Sequence, residues 1–397
     1  MPNINPKILI WARETAGFSV EQAARKLQFK DTKTTTATQK LSAYENGKQP
    51  PSRTLLVRMA KQYRRPLLAF YLPSSPRKAD RGEDYRTLSM DIDPAEEAII
   101  DALVRSIEAR QSILKEALLS EGDAQIMSFI GSYSMDKGVA GLVREIFGTA
   151  SLHLDDYRAA TTQNDALKYL RARMEGLGIF TLLAGNLGTH HTKLSPSIFR
   201  GFALSDEIAP FIVINDQDAK TAQCFTLLHE VAHLWLGVTG ISGGTGERRI
   251  ERFCNDVASE ILLPDSDMQR DLRVPGTSDN QRLMGLIDEF ARQKKVSSGM
   301  VAYRLLRRGA IEQSRFETLT EMFHKRWEDS RSREQKQKKD GGPDYYVVQR
   351  SRLGNALLNT AQRMLASKEL STTQVGTVLG VRALKVGNLF SGDGQAA

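Results

Sequence analysis

The stretch TLLHEVAHLWLG at positions 226–237 constrains this chain more than any other part of its sequence. The residues around its polar triplet are apolar, which predicts a helix buried in a core. On such a helix His229 and His233 are four positions apart, so both imidazoles project from one face about one turn apart. Burying ionisable groups without partners is costly, and a shared metal ion would compensate for it. The alternative is two core histidines satisfied by hydrogen bonds and an exposed Glu230.

The spacing of the triplet also fits a specific chemistry. A catalytic zinc is typically held by three protein groups and a water, whose pKa the ion lowers to about 7. Glu230, next to the first histidine, is then the expected general base. The residues after His233 read LWLGVTGISG, which excludes a third histidine at the usual spacing and favours a carboxylate as the third ligand. Spacing alone leaves four carboxylates open: Glu247, Glu251, Asp256 and Glu260.

Charge is distributed unevenly along the chain. Residues 1–78 contain 15 Lys and Arg against four Asp and Glu, a net charge of +11, whereas the whole chain carries +8. A basic module at one end predicts a polyanionic partner, most plausibly nucleic acid. The alternative is a basic face that serves only solubility.

The basic segment predicts several short helices joined by turns, as in a helix-turn-helix module. It resembles the phage-repressor-like helix-turn-helix family in the residues that follow the reading helix: Tyr44, Glu45, Asn46, Gly47, Pro51 and Ser52. The resemblance implies DNA contacts from the preceding helix, with these candidates: Thr38, Gln39, Lys40 and Ser42. The segment DTKTTTATQ is longer and richer in threonine than the turn of that family. A module that keeps the fold but binds a protein is the alternative.

The remainder predicts a mostly helical α+β protein. From Pro94 an amphipathic pattern predicts a long helix. The runs GIFTLLAG, SPSIFRGFALSD and APFIVIN are short, rich in Ile, Val and Phe, and bounded by Gly, Pro, Asn or Asp, which predicts three strands. A small sheet is therefore expected to precede the HEVAH helix and pack on it.

The segments GFALSDEIAPFIVINDQDAKTAQCFTLLHEVAHLWLG and ERFCNDVASEILLP together resemble the ImmA/IrrE family of zincin-like metallopeptidases. The positions of that family's pattern fall on Glu251, Cys254, Asn255, Val257, Ala258 and 262–264. The chain departs from it at three of them, with Cys254 for the usual Ala, Val257 for Phe and Leu263 for Met. The resemblance implies that His229, His233 and Glu251 hold Zn²⁺ and that Glu230 is catalytic. It also implies site-specific cleavage of a repressor protein that controls transcription in phage, mobile-element or stress responses.

These patterns predict five segments. They are a helix-turn-helix domain at 1–72, a linker at 73–93, a zincin-like domain at 94–328, a charged and disordered linker at 329–343, and a small helical region at 344–397. The pattern LSTTQVGTVLGVRALKVGNLF in the last region faintly echoes a helix-turn-helix, although small helical packing is the simpler interpretation. With two cysteines, no long apolar stretch and no signal-peptide pattern, we expect a cytoplasmic protein.

Substrate would lie extended along an edge strand, for which SIFRGFALSD is the candidate. An additional donor for the tetrahedral oxyanion is expected. The candidates for it, or for other substrate contacts, are His190, His191, Tyr303 and Arg304. A protein of another class also fits: a DNA-binding regulator whose metallopeptidase-like domain is a non-catalytic sensor or docking module.

Overall fold

The computed structural model describes residues 4–76, 93–188, 192–196, 198–238, 245–272, 279–337 and 344–391. The chain divides into two compact units, Met1–Ile107 with Asn186–Phe199, and Glu108–Gly185 with Arg200–Ala397. The mostly helical α+β fold is confirmed. The segment limits expected from the sequence stay predictions.

The described residues 4–76 of the first unit form four short helices and a 3-10 turn at Leu67–Tyr71, and the unit also includes the start of a long helix from Pro94. The helices are α1 (Pro6–Glu14), α2 (Val20–Lys26), α3 (Ala37–Glu45) and α4 (Arg53–Tyr63). Ser19 and Gln22 form a reciprocal capping box at the start of α2, and Ser52 caps α4, as the sequence predicts.

A buried ion pair connects the first and third of these helices. Arg13 Nε donates to Glu45 Oε1 at 2.8 Å, and Arg13 Nη1 donates to the carbonyl oxygen of Phe18 at 3.0 Å. Both charged side chains are at most 10% exposed. Glu45, which belongs to the repressor-like pattern, is therefore a packing residue here.

The remaining helices follow from Pro94. They are α5 (Pro94–Glu121), α6 (Val139–Thr149), α7 (Leu154–Ala159), α8 (Gln163–Glu175), α9 (Lys220–Leu236), α10 (Thr245–Leu262), α11 (Asp265–Asp271), α12 (Asn280–Lys294), α13 (Ser298–Arg307), α14 (Gln313–Gln337), α15 (Tyr345–Leu353), α16 (Asn355–Ala366), α17 (Thr372–Leu379) and α18 (Val386–Phe390). Helix α14 continues to Gln337, so the structure has helix where the sequence leads us to expect a disordered linker from 329.

The three predicted strands form one small sheet. They are β1 (Phe180–Leu183), β2 (Gly201–Leu204) and β3 (Phe211–Ile214), in the order β1-β3-β2. Strand β3 is central, paired parallel to β1 and antiparallel to β2. The strand predicted as an edge strand therefore is one, and the sheet packs on α9 as expected.

The outer edge of β1 is occupied by a buried arginine of α8. Phe180 and Ala184 donate to β3, so the backbone groups of Thr181 point away from it. Arg171 Nη2 donates to the carbonyl oxygen of Thr181 at 2.8 Å, and Arg171 Nη1 donates to the carbonyl oxygen of Ser351 at 2.6 Å. Helix α15 is thereby linked to this edge of the sheet.

Candidate metal centre

Helix α9 carries the HEVAH sequence through the core of the second unit. Its residues from Leu227 to Trp235 are almost all buried, and it ends at Gly237, whose φ of 67° is the left-handed conformation that commonly terminates a helix. His229 and His233 lie one turn apart with ring centroids 4.8 Å from each other. The regular helix therefore presents both imidazoles on one side.

Helix α10 brings one carboxylate to these imidazoles. Glu251 Oε2 lies 3.2 Å from His229 Nε2, and Glu251 Oε1 lies 3.1 Å from His233 Nε2. The two Nε2 atoms are 3.0 Å apart. Of the carboxylates left open by spacing, Glu251 is the one that joins both histidines in a group able to hold a metal among the described residues.

The distances and donor types fit a zinc ion. At zinc–ligand bonds of about 2.0–2.1 Å and tetrahedral angles, two ligand atoms are separated by about 3.3 Å. Here the two nitrogens lie 3.0 Å apart, and each has a different oxygen of Glu251 near it, at 3.2 Å for His229 and 3.1 Å for His233. With one ligand atom taken from each residue, the three atoms lie within 4.8 Å of one another. Two imidazole nitrogens and a carboxylate form a common catalytic zinc set, and iron, manganese or cobalt also accept them.

Electrostatics distinguish the two glutamates of the centre. Burial raises the pKa of Glu251, but hydrogen bonds from His229 and His233 outweigh it and hold the pKa well below its usual range. Burial raises the pKa of Glu230 to about 7, opposed by His229 and assisted by the negative charge of Glu251. One carboxylate is thus held as an anion, and the other has a pKa suited to exchanging a proton near neutral pH.

Glu230 faces the first residue of the edge strand. A Cβ atom at Gly201 would lie 3.2 Å from Glu230 Oε1 and 2.5 Å from the methyl carbon of Thr226. Real side chains essentially never approach as closely as the 2.5 Å to Thr226, so a larger residue than glycine at 201 would require β2 or α9 to shift, and Glu230 would also have to move by a few tenths of an ångström. The close packing positions the Glu230 carboxylate at the start of β2.

Strand β2 is accessible at this end only. Arg200 is exposed and Gly201 is partly exposed, whereas Phe202, Ala203 and Leu204 are buried. The carbonyl oxygen of Arg200 accepts from Asn215, so the backbone groups of Gly201 point away from β3. A peptide strand would therefore pair with β2 at Gly201.

A cavity of about 260 Å³ adjoins the centre. Phe225, one turn before His229, and Asn255, one turn after Glu251, both line it. The ring of Phe225 lies 6.3 Å from that of His229. The rest of the lining consists of Arg200, Ala222, Ser297, Gly299, Met300, Tyr303, Phe316 and Thr320.

The other predicted substrate contacts have different positions. Tyr303 lines the cavity, and its hydroxyl donates to Asp256 at 2.8 Å. Arg304 is buried and donates to Glu260 and to Asp265. His190 and His191 lie outside the described residues. Arg304 is therefore left out of the proposed site, because two carboxylates already hold its guanidinium.

The four candidate DNA contacts lie at the start of α3. Gln39 accepts from the backbone of Thr36 in a capping box, and Lys40 Nζ donates to the carbonyl oxygen of Lys30 at 2.6 Å. Thr38 shares a hydroxyl contact with Thr36, and Ser42 is half-buried. Their role in DNA contact stays a prediction.

Of the ten residues that line the cavity, Tyr303 alone is a candidate substrate contact from sequence, and Arg200 and Asn255 are polar residues that the sequence patterns do not single out as such contacts. Arg200 directly precedes the edge strand, and Asn255 was noted only as part of the family pattern. Its spacing of four from Glu251 was the available signal, since residues four apart share a helix face.

Two parts of the sequence match models of known domain families. Residues 184–306 match the model of an IrrE N-terminal-like domain, a peptidase family, and residues 9–67 match that of a helix-turn-helix domain. No curated protein and no solved structure matches the chain. Among the described helices, none is long and apolar enough to span a membrane. The chain thus contains a helix-turn-helix domain followed by an IrrE N-terminal-like peptidase domain, which is the architecture expected from its resemblance to the ImmA/IrrE family.

Proposed function

We propose that the chain is a zinc-dependent, site-specific endopeptidase that cleaves a repressor or another regulatory protein. The observation that carries the proposal is the convergence of His229, His233 and Glu251 beside the buried Glu230. A docking surface without chemistry has no need for a general base at that position.

The residues divide the work of amide hydrolysis between them. The two histidines and Glu251 would hold a zinc ion, which would supply Lewis acidity and lower the pKa of a water. Glu230 Oε1, the oxygen near Gly201, accepts a proton from the attacking water and later donates it to the leaving amine nitrogen.

Substrate recognition combines the accessible end of β2 with the cavity. A substrate strand pairs with the backbone of Gly201, which brings its scissile carbonyl past Glu230. A neighbouring substrate side chain enters the cavity, whose lining by Phe225, Met300 and Phe316 favours an apolar group. Arg200 and the N-terminal helix-turn-helix domain add positive charge that favours acidic or DNA-bound substrates.

The N-terminal domain, with its basic composition, directs the peptidase to double-stranded DNA or to a repressor bound there. Thr38, Gln39, Lys40 and Ser42 are the proposed DNA contacts. We also propose a cytoplasmic location, where such a substrate would be present.

The decisive experiment compares new protein N-termini in cells expressing the wild-type chain or Glu230→Gln. We expect a small set of cleaved proteins, including a transcriptional regulator, with the wild type only. Elemental analysis of both purified proteins should find about one metal ion per chain, which His229→Ala should lose.

A Glu230→Gln chain that retains its metal and its full effect on transcription would contradict the peptidase proposal. That result would favour the regulator with a non-catalytic metallopeptidase-like domain.

A further inference from the structure

The last part of the chain contains a tighter helix-turn-helix than its first part. Helix α17 ends at Leu379, and a second helical segment begins at Ala383 as a 3-10 turn and continues through α18 to Phe390. Three residues, 380–382, join them. In the N-terminal domain ten residues, 27–36, separate α2 from α3. A connection of three or four residues that contains glycine is the usual form of this motif.

Two glycines permit this geometry. Gly380 has a φ of 66°, and its neighbour Val381 donates to the carbonyl oxygen of Gly376 at 2.8 Å, which closes the end of α17. A Cβ atom at Gly376 would lie 2.9 Å from the carbonyl oxygen of Val381 and 3.1 Å from the nitrogen of Ala383. The small residue therefore lets the second helical segment approach α17 closely.

A compact apolar core fixes the angle between the two segments. Five side chains that are fully or almost fully buried, spaced for one face of each helix, contribute to it: Val375, Val378, Leu379, Val386 and Leu389. A reciprocal capping box between Ser371 and Gln374 defines the start of α17, as Ser19 and Gln22 do in α2. Helix capping and core packing therefore both stabilise this helix-turn-helix geometry.

The exposed side of the second segment combines an almost fully exposed aliphatic side chain with polar and cationic groups. Leu384 is 96% exposed, and Arg382 and Asn388 are also exposed. Asn388 Nδ2 donates to the hydroxyl of Tyr346 at 2.9 Å, which orients the amide and leaves its oxygen and second N–H for a partner.

Arg382 precedes the 3-10 turn, Leu384 lies in it, and Asn388 lies in α18. Lys385 lies over the ring of Tyr345 at 4.4 Å. From Arg382 to Asn388, a cation, an aliphatic group and an amide in this order match the contacts that proteins make with phosphates, thymine methyl groups and adenine edges.

Charge on this region supports the same partner. Residues 344–391 contain six Lys and Arg and two Asp and Glu. Arg352 and Arg363 pair with acidic residues, Arg363 with two of them. Within the described residues, Arg382 and Lys385 have no such ion pair, so the positive charge remains available at the second segment.

We propose that residues 371–391 are a second DNA-binding element, which places the segment from Ala383 to Phe390 in the major groove of duplex DNA. Helix α17 then crosses the phosphate backbone with Thr372 and Thr373 at its exposed start. Arg382 and Asn388 contact phosphates or base edges, and Leu384 contacts a thymine methyl group. This inference is independent of peptidase activity.

The test uses the full chain and a fluorescent duplex of mixed sequence, with binding measured by anisotropy over a range of salt concentrations. The variant Arg382→Glu with Leu384→Glu changes only exposed side chains. We expect the affinity of this variant for DNA to fall about tenfold or more. The slope of log affinity against log salt concentration should become shallower by about the amount that one phosphate contact contributes.

A matched control makes the same two changes elsewhere. Arg144 is exposed on α6 and Ile126 is 70% exposed, so Arg144→Glu with Ile126→Glu alters charge and apolar surface equally. Equal affinity of the variant and this control would overturn the proposal. Matching thermal unfolding curves and metal contents exclude misfolding as the cause of a loss.

A positional probe separates this element from the N-terminal domain. Both native cysteines, Cys224 and Cys254, are buried, so a photo-crosslinker attached to Leu384→Cys reacts from position 384 alone. We expect crosslinks to the DNA strand. Crosslinks to a second copy of the chain, with none to DNA, would overturn the proposal and indicate protein docking.

Discussion

Gly201 lies beside Glu230 and at the accessible end of β2, so it belongs to both the proposed catalytic site and the proposed substrate-binding edge. We predict that Gly201→Ala lowers the cleavage rate about 100-fold, because the added methyl group would press on Thr226 and move Glu230 from its position. The measurement is kcat on a substrate found by the survey of new N-termini, together with metal content, which should be unchanged.

Gly148→Ala is the control for this change, since a Cβ atom there would meet nothing within 4 Å. Equal kcat values for the two alanine variants would show that Gly201 does not position Glu230.

Glu45 shows how a pattern attributed to DNA binding contains a packing residue. We predict that Glu45→Ala lowers the free energy of unfolding of the first unit by about 3–5 kcal/mol, because it leaves Arg13 buried without its carboxylate. Hydrogen exchange of α1 and α3 measures this locally.

Glu14→Ala is matched to it, since Glu14 approaches the same arginine at 3.6 Å but is 63% exposed. Its expected effect is within about 1 kcal/mol. A similar loss in both variants would contradict the importance of the buried pair.

At the scale of helices and strands, the sequence pattern predicts the features that depend on interactions between residues close together in the chain. The caps Ser19 and Ser52 and the three strands have visible signals, because side-chain hydrogen bonds and β-branched runs act over a few residues. The spacing of four residues likewise predicts that His229 and His233 lie on one face of their helix. It left four carboxylates open, because the approach of α10 to α9 depends on tertiary packing.

The cavity could not be predicted from any one element, since it is lined from four helices and the start of a strand. Arg304 is a predicted contact residue that the tertiary structure assigns to ion pairs instead. Its sequence neighbourhood gives no sign that Glu260 of α10 and Asp265 of α11 hold its guanidinium. The helical state of 329–337 was missed because a highly charged stretch has no apolar periodicity.

The cavity can be filled from α13 without disturbing the helix. We predict that Gly299→Leu raises KM at least about tenfold for a substrate with an apolar side chain there, because leucine would extend into space that is empty around Gly299. Steady-state kinetics on the identified substrate provide the measurement.

Gly285→Leu on α12 is the matched variant, since Gly285 is exposed and also has nothing within 4 Å of a Cβ atom. If both leucine variants changed KM alike, the cavity would not be a substrate pocket.

Glu175 links the C-terminal helices to the sheet. Its Oε2 accepts from the backbone of Asn355 and Ala356 at the start of α16, and it lies 3.6 Å from Arg171. We predict that Glu175→Gln costs about 3 kcal/mol of stability, because Arg171 then stays buried without a negative partner. Chemical denaturation of the full chain measures the loss.

On the same helix, Asp165→Asn removes an exposed partner of Lys168 and should change stability by less than about 1 kcal/mol. Equal effects would indicate that Glu175 acts only through the local helix.

For the whole molecule, the candidate metal centre lies on helices whose other faces form the hydrophobic core, so binding of a metal there is expected to affect the stability of the fold. Zinc that binds the folded chain alone stabilises it by about 2.7 kcal/mol at 100 times its dissociation constant. We therefore predict that a chelator lowers Tm of the wild type and that added zinc restores it. A thermal unfolding series with and without zinc provides the measurement.

His229→Ala, which removes a ligand, should have the same Tm under both conditions. A zinc response that persists in His229→Ala would mean that the ion acts elsewhere on the chain.

The guanidinium of Arg171 at the outer edge of β1 has a consequence for self-association. An uncovered strand edge is a template on which another chain can add a strand and begin to aggregate. Because Arg171 occupies the carbonyl oxygen of Thr181, and because β2 is accessible only near Gly201, the small sheet offers no long edge to another copy of the protein. The arrangement that leaves β2 accessible only near Gly201 thus also protects the sheet from becoming the nucleus of a fibril.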